Sequence, residues 1–212
     1  MKTSSLIVAV LLLAVESFSQ TKFEKRMLAN IDSMYKWFGT PRIQESINAF
    51  ERYADADTTR WEALYYAAYG YCMMSLMEQD INRKDAYCDR ADFLINKALV
   101  KYPQESELYV LQGFMYNMKL LVNPTMRAND YMGLIYKSYA TAEALNPNNP
   151  RVYFMKGNLI MNLPPFMGGG KDKALPIFQT AKQKYEAFTS DNILSPRWGK
   201  EDCDKKIVEC SR

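Results

Sequence analysis

The sequence predicts an all-α protein built as a stack of antiparallel helical hairpins, on three observations. Apolar residues recur at helical spacings along most of the 212 residues, and only nine Gly and nine Pro interrupt them. A Tyr-x-x-x-Gly-x-x-apolar skeleton occurs three times, at Tyr66/Gly70/Met73, Tyr109/Gly113/Tyr116 and Tyr153/Gly157/Ile160. Finally, the spacing is regular: the glycines lie 43 and 44 residues apart, and Pro103 and Pro147 lie 44 apart. A repeat of that length holds two helices and a turn.

Residues 1–19 read as a secretory leader, with a basic start at Lys2, an apolar run from Leu6 to Val15 and the small residues Ser17 and Ser19 before Gln20. The run falls short of the ~20 residues a membrane span needs. An exported chain, periplasmic or secreted and without an integral membrane span, is expected, with residues 20–212 as one helical domain. Between Thr21 and Asp57 two helices are expected. Phe23, Met27, Ile31 and Met34 share a face, Gly39-Thr40-Pro41 ends one helix and starts the next, and Ile43, Ile47 and Phe50 line the second.

Each hairpin then follows from its own residues. Thr59 and Glu62 have the spacing of a capping box before Tyr66, and a polar loop around Asp80 to Lys84 leads to a return helix carrying Ala91, Ile95 and Ala98. Ser106 is expected to cap the second hairpin, which returns through Ile135, Tyr139 and Ala142. Asn149 and Pro150 supply an N-cap and a first-turn proline for the third. Pro164, Pro165 and Gly168 to Gly170 break that helix, and Ala174, Phe178 and Ala181 form its partner. Ser195 and Pro196 repeat the cap-plus-proline start, Trp198 is expected to cover the open end of the last hairpin, and a short amphipathic helix follows from about Glu201.

This pattern resembles the tetratricopeptide repeat, which places aromatic, Gly and Tyr on its first helix and Ala, Phe, Ala and Pro on its second. The resemblance covers roughly Thr59 to Phe188. It implies a right-handed α-solenoid of about three repeats with capping helices at both ends. Two departures stand out: Tyr69, Gln112 and Lys156 replace the consensus Leu before Gly, and the repeats exceed the usual ~34 residues, with the surplus expected between the two helices. Exported bacterial proteins of this type with long inter-helix loops look most similar. The resemblance also implies a concave groove, onto which Tyr71, Met74, Phe114, Asn117, Met118, Phe154, Asn158, Met161 and Asn162 would face.

The chemistry the chain lacks is informative. It contains no histidine, which removes the commonest general base and metal ligand, so neither catalytic residues, nor a metal site, nor a resident cofactor is expected. Gly168-Gly169-Gly170-Lys171 lacks the frame of a phosphate loop and reads as a hairpin connection; an anion site using Lys171 at that helix start is the alternative. A net charge of +3 without a basic block gives no case for nucleic acid. Cys72 and Cys88 sit symmetrically about residue 80 and form a candidate disulfide, with two inert buried thiols as the alternative. Cys203 and Cys210 are too far apart in one helix to bridge. The expected function is a non-enzymatic scaffold that binds a protein or peptide through the groove. The alternative is a small-molecule binding module or transport accessory, its ligand enclosed by Tyr71, Phe114, Phe154 and the Asn158 amide. Terminal helices filling the groove as core are a third arrangement.

Overall fold

In a computed structural model the described residues are 22–212; the expected leader and its cleavage point near Gln20 lie outside them. Among the described residues nine α-helices run in order: α1 (22–36), α2 (Ile43–Ala56), α3 (Glu62–Met77), α4 (Ile81–Lys101), α5 (Ser106–Val122), α6 (Pro124–Leu145), α7 (Pro150–Asn162), α8 (Lys171–Ala187) and α9 (Lys200–Cys210). A 3-10 turn at Pro165–Met167 joins α7 to α8, and no strand occurs among the described residues. The three expected hairpins are α3/α4, α5/α6 and α7/α8. They stack because α3 touches α5 and α5 touches α7, so the first helices of successive hairpins stand side by side.

The residues that set the repeat also hold it. A Cβ on Gly157 would lie 2.6 Å from the Phe178 ring of its partner helix, and one on Gly113 would collide with the ring of Tyr139. Glycine at these sites is what lets a large ring pack directly on backbone. Gly70 differs, since its bare face meets Ile47 of α2 rather than its own partner helix. Tyr109 and Tyr153 each donate their hydroxyl to the carbonyl of the proline six residues earlier, Pro103 and Pro147, at 3.1 and 3.0 Å. Ala91, Ile95, Ala98, Ile135, Tyr139, Ala142, Ala174, Phe178 and Ala181 are all fully buried.

Between the second and third hairpins lies a buried ion pair. Arg151, 1% exposed, donates from Nε and Nη2 to the Glu107 carboxylate at 2.7–3.0 Å. Burial opposes the charge on Arg151, but the Glu107 carboxylate more than offsets it, and the guanidinium is held above its ordinary value. Beside it, Asn149 donates to Ser106 Oγ, and Ser106 donates to the Ala142 carbonyl.

Several local expectations are corrected. In the first two hairpins the surplus length sits in the helices and not between them, since α4 and α6 have 21 and 22 residues and Asn123 alone separates α5 from α6, whereas in the third residues 163–170 lie between α7 and α8 as expected. Asp80 caps α4 through Arg83 N–H, which turns the expected polar loop into helix. The Thr59 capping box does not form, because Thr59 bonds Asp57 instead and Glu62 is drawn inward to Asn192. Ser106 is the first residue of its helix rather than the cap, a role taken by Glu105. Trp198 covers no open end. The segment 188–199 turns back across the inner wall without forming a helix at Ser195 and Pro196, and α9 begins at Lys200, next to the expected Glu201.

All four cysteines are free and buried. Cys88 Sγ lies 3.2 Å from Ser75 Oγ, and Cys203 Sγ faces the Phe178 carbonyl at 3.4 Å. Burial pushes the Cys203 thiol up to about 11 and raises Cys72 and Cys88 as well. Alkylation at pH 8 should therefore label none of the four until denaturant is added, by intact mass. Rapid modification of the native chain would contradict this packing.

Candidate functional site

The inner wall of the stack is occupied by its own C-terminal segment. Tyr66 donates its hydroxyl to the Leu194 carbonyl at 3.0 Å, and Asn192 Nδ2 donates to Glu62 at 2.8 Å. Trp198 Nε1 donates to Tyr65 Oη at 2.8 Å, while its ring stacks on Tyr69 with centroids 5.3 Å apart and a 9° tilt. The same ring meets Phe154 edge-on at 6.3 Å, and Arg197 pairs with Asp32 of α1 at 2.7 Å. A strap pinned to both the first and the third hairpin results.

The nine expected groove residues do not share one open surface. Phe114 and Phe154 are buried, Phe114 near Tyr69 and Phe154 among Phe178, Tyr185 and Trp198. Met118 is buried and Met74 packs against the core. Tyr71, half-buried, stacks on Tyr87 of its own partner helix at 6.3 Å, and Met161 sits 3.9 Å from the Cys210 thiol. Three of the nine, Asn117, Asn158 and Asn162, converge on one cavity at the edge of the stack.

That cavity, of about 620 Å³, opens between the tip of the second hairpin and the tip of the third. One wall comes from the end of α5 and the start of α6: Leu120, Leu121, Pro124, Thr125, Ala128 and Met132. The other comes from the end of α7 and the 3-10 turn: Leu159, Leu163, Pro164, Phe166 and Met167. None of these residues carries a formal charge. The polar groups are Thr125 and the three amides; Asn158 and Asn162 each donate Nδ2 to a carbonyl one turn back, to Phe154 and Asn158. The volume and mostly apolar lining suit a small organic ligand.

Local chemistry shapes the cavity. Asn123 caps α6 by accepting from Met126 N–H, and Pro124 fills the first helical position, so a single residue separates the end of α5 from the start of α6. On the other side, Gly168 and Gly170 adopt φ of +80° and +116°, values that glycine tolerates without strain. Gly170 N–H donates to the Ile160 carbonyl at 2.9 Å, folding the loop back and presenting Phe166 with 88% of its surface exposed. The nearest cations are engaged elsewhere. Arg127 grips Asp85 with two bonds of 2.6 Å, which hold that carboxyl below its usual range, and Lys119 reaches Asp89 at 2.5 Å.

Sequence reasoning missed the apolar walls. Their signal was present, since Leu120-Leu121 before Pro124 and Pro164-Pro165-Phe166-Met167 put large apolar residues at turns, where polar ones are the rule. A second, charged depression lies between Arg60, Glu62 and Asp191. Among the described residues no cluster of His, Cys, Asp or Glu could hold a metal ion, and no helix is long and apolar enough to cross a membrane.

Neither a family model nor a curated protein matches the chain. Among solved structures, the HusA haemophore from Porphyromonas gingivalis is similar, with 29% sequence identity and a TM-score of 0.77. The match covers 90% of this chain and 92% of that one, so the likeness includes the arrangement of the hairpins as a whole.

Proposed function

We propose that the chain is a non-enzymatic carrier of a flat, mostly apolar ligand of the haem class, held in the cavity between the second and third hairpin tips. The observation that carries this reading is the likeness to a haemophore over nine-tenths of the chain. Of the two functions expected from the sequence, it favours the small-molecule module. A peptide along the inner wall would compete with the strap that fills it. The leader pattern of residues 1–19 fits a carrier that works outside the cytoplasm.

The donor set fits a porphyrin's faces better than its iron. With no histidine in the chain, the usual axial ligand is missing, and the cavity offers the thioethers of Met132 and Met167 as its only soft donors. Affinity then rests on burying apolar ring surface against Leu120, Leu163 and Phe166, at roughly 25 cal/mol per Å². The uncharged walls leave the ligand's carboxylates at the mouth, in water, where they need no partner.

Filling the cavity tests the assignment. Ala128→Trp should lower haem affinity at least tenfold in a fluorescence-quenching titration, while Val100→Ser, remote and exposed, should leave it unchanged. Metal-free protoporphyrin should bind within about tenfold of haem. Unaltered haem binding by a folded Ala128→Trp variant would remove the cavity from consideration.

A further inference from the structure

The charged depression, of about 750 Å³, lies at the opposite end of α3 from the hairpin tips, and the carrier reading leaves it without a role. Three distant parts of the chain meet there: Glu24 of α1, Trp61 and Glu62 at the start of α3, and Asp191 and Ile193 of the strap. Glu62 is 4% exposed. Its Oε1 accepts from Asn192 at 2.8 Å, but its buried Oε2 has no hydrogen-bond partner among the described residues. Arg60, the cation that lines the depression, turns to α1 instead: it donates to Glu24 at 3.0 Å, lies 3.9 Å from Asp57 and stands over the Phe23 ring.

A buried carboxylate without a counter-charge is costly, and the local structure does not account for this one. The Asn192 bond needs only an acceptor, which a neutral amide would supply as well. The α3 dipole favours an acid at this position but gives Oε2 no donor. The surroundings add negative charge rather than positive: burial raises the Glu105 carboxyl above its ordinary value, and the charge on Glu62 adds to the rise. We propose that the depression binds an aliphatic ammonium group, of a free amine or of a lysine side chain, whose charge is met by Glu62 and Asp191. A cation seated there is drawn to the Glu62 carboxylate through space and needs no bond to Oε2. Trp61 and Ile193 carry the alkyl stem, and the Trp61 ring is held in place by Tyr65, edge-on with centroids 5.5 Å apart. The carboxylates form no cluster that could hold a metal ion among the described residues, which favours a larger, organic cation. The site does not depend on the cargo cavity.

Calorimetric titration at low salt with cadaverine and with Nα-acetyl-lysine methylamide tests the site. At least one should saturate at about millimolar concentration, and the one that does identifies the source of the ammonium group. Glu62→Gln removes the charge while keeping the shape and the acceptor for Asn192, and should weaken binding at least tenfold. Trp61→Leu leaves the carboxylate in place and should weaken binding about threefold; it decides the matter if Glu62→Gln does not fold. Glu209→Gln, exposed on α9 and outside the depression, should bind like the parent. None of the three lines the cargo cavity, so haem binding should survive in each. Four results would overturn the proposal: no saturable binding of either probe, undiminished binding by a folded Glu62→Gln variant, equal binding of uncharged 1,5-pentanediol, or displacement of the amine by equimolar Ca²⁺.

Discussion

Arg151→Met should destabilise the protein by about 3–5 kcal/mol, the range for removing one partner of a buried ion pair. The Glu107 carboxylate would be left almost fully buried with no donor in place of the guanidinium, which now supplies bonds of 2.7–3.0 Å. The added substitution Glu107→Leu should recover most of the loss, because two apolar side chains of similar volume need no partner there. Urea denaturation of the parent, the single and the double variants measures both steps. A single-variant loss under about 1 kcal/mol would mean that the second and third hairpins are not locked at this point.

Trp198→Ala should cost about 3–5 kcal/mol, as for other large aromatic truncations in packed surroundings. The ring contacts Tyr69 of the first hairpin and Phe154 of the third, and its Nε1 serves the fully buried Tyr65 hydroxyl. Losing it empties the centre of the inner wall and orphans that hydroxyl. Residues 189–199 should then become cleavable in limited proteolysis at a rate that the parent resists, while α3 to α8 stay folded. Equal proteolysis of both proteins would show that the strap is not held by its tryptophan.

How much of this was legible before the structure follows from the range of each interaction. The hairpins were readable because Gly113 and Gly157, their facing rings at Tyr139 and Phe178, and the closing prolines all lie within a single repeat. Local patterns fix such contacts. The strap was not readable, since Tyr66 to Leu194 and Trp198 to Tyr65 span more than a hundred residues and carry no periodicity. That one long-range segment closes over Phe154 through Trp198, and it also recruited Glu62 away from its expected cap. Asn117, Asn158 and Asn162 reached the cavity because they lie at the ends of α5 and α7, beyond the strap. The apolar walls went unread for a different reason: turns are polar as a rule, and Leu121 and Phe166 are exceptions to it.

The central claim is that the ligand site lies at the hairpin tips and not on the inner wall. Mapping amide shifts in a ¹⁵N-labelled chain during titration with metal-free protoporphyrin, which avoids broadening by iron, tests this most directly. The account predicts that the largest shifts cluster at residues 117–132 and 158–167, with Tyr65, Tyr69 and Trp198 unmoved. Shifts centred on Tyr65, Tyr69, Phe154 and Trp198, with the tips silent, would contradict it.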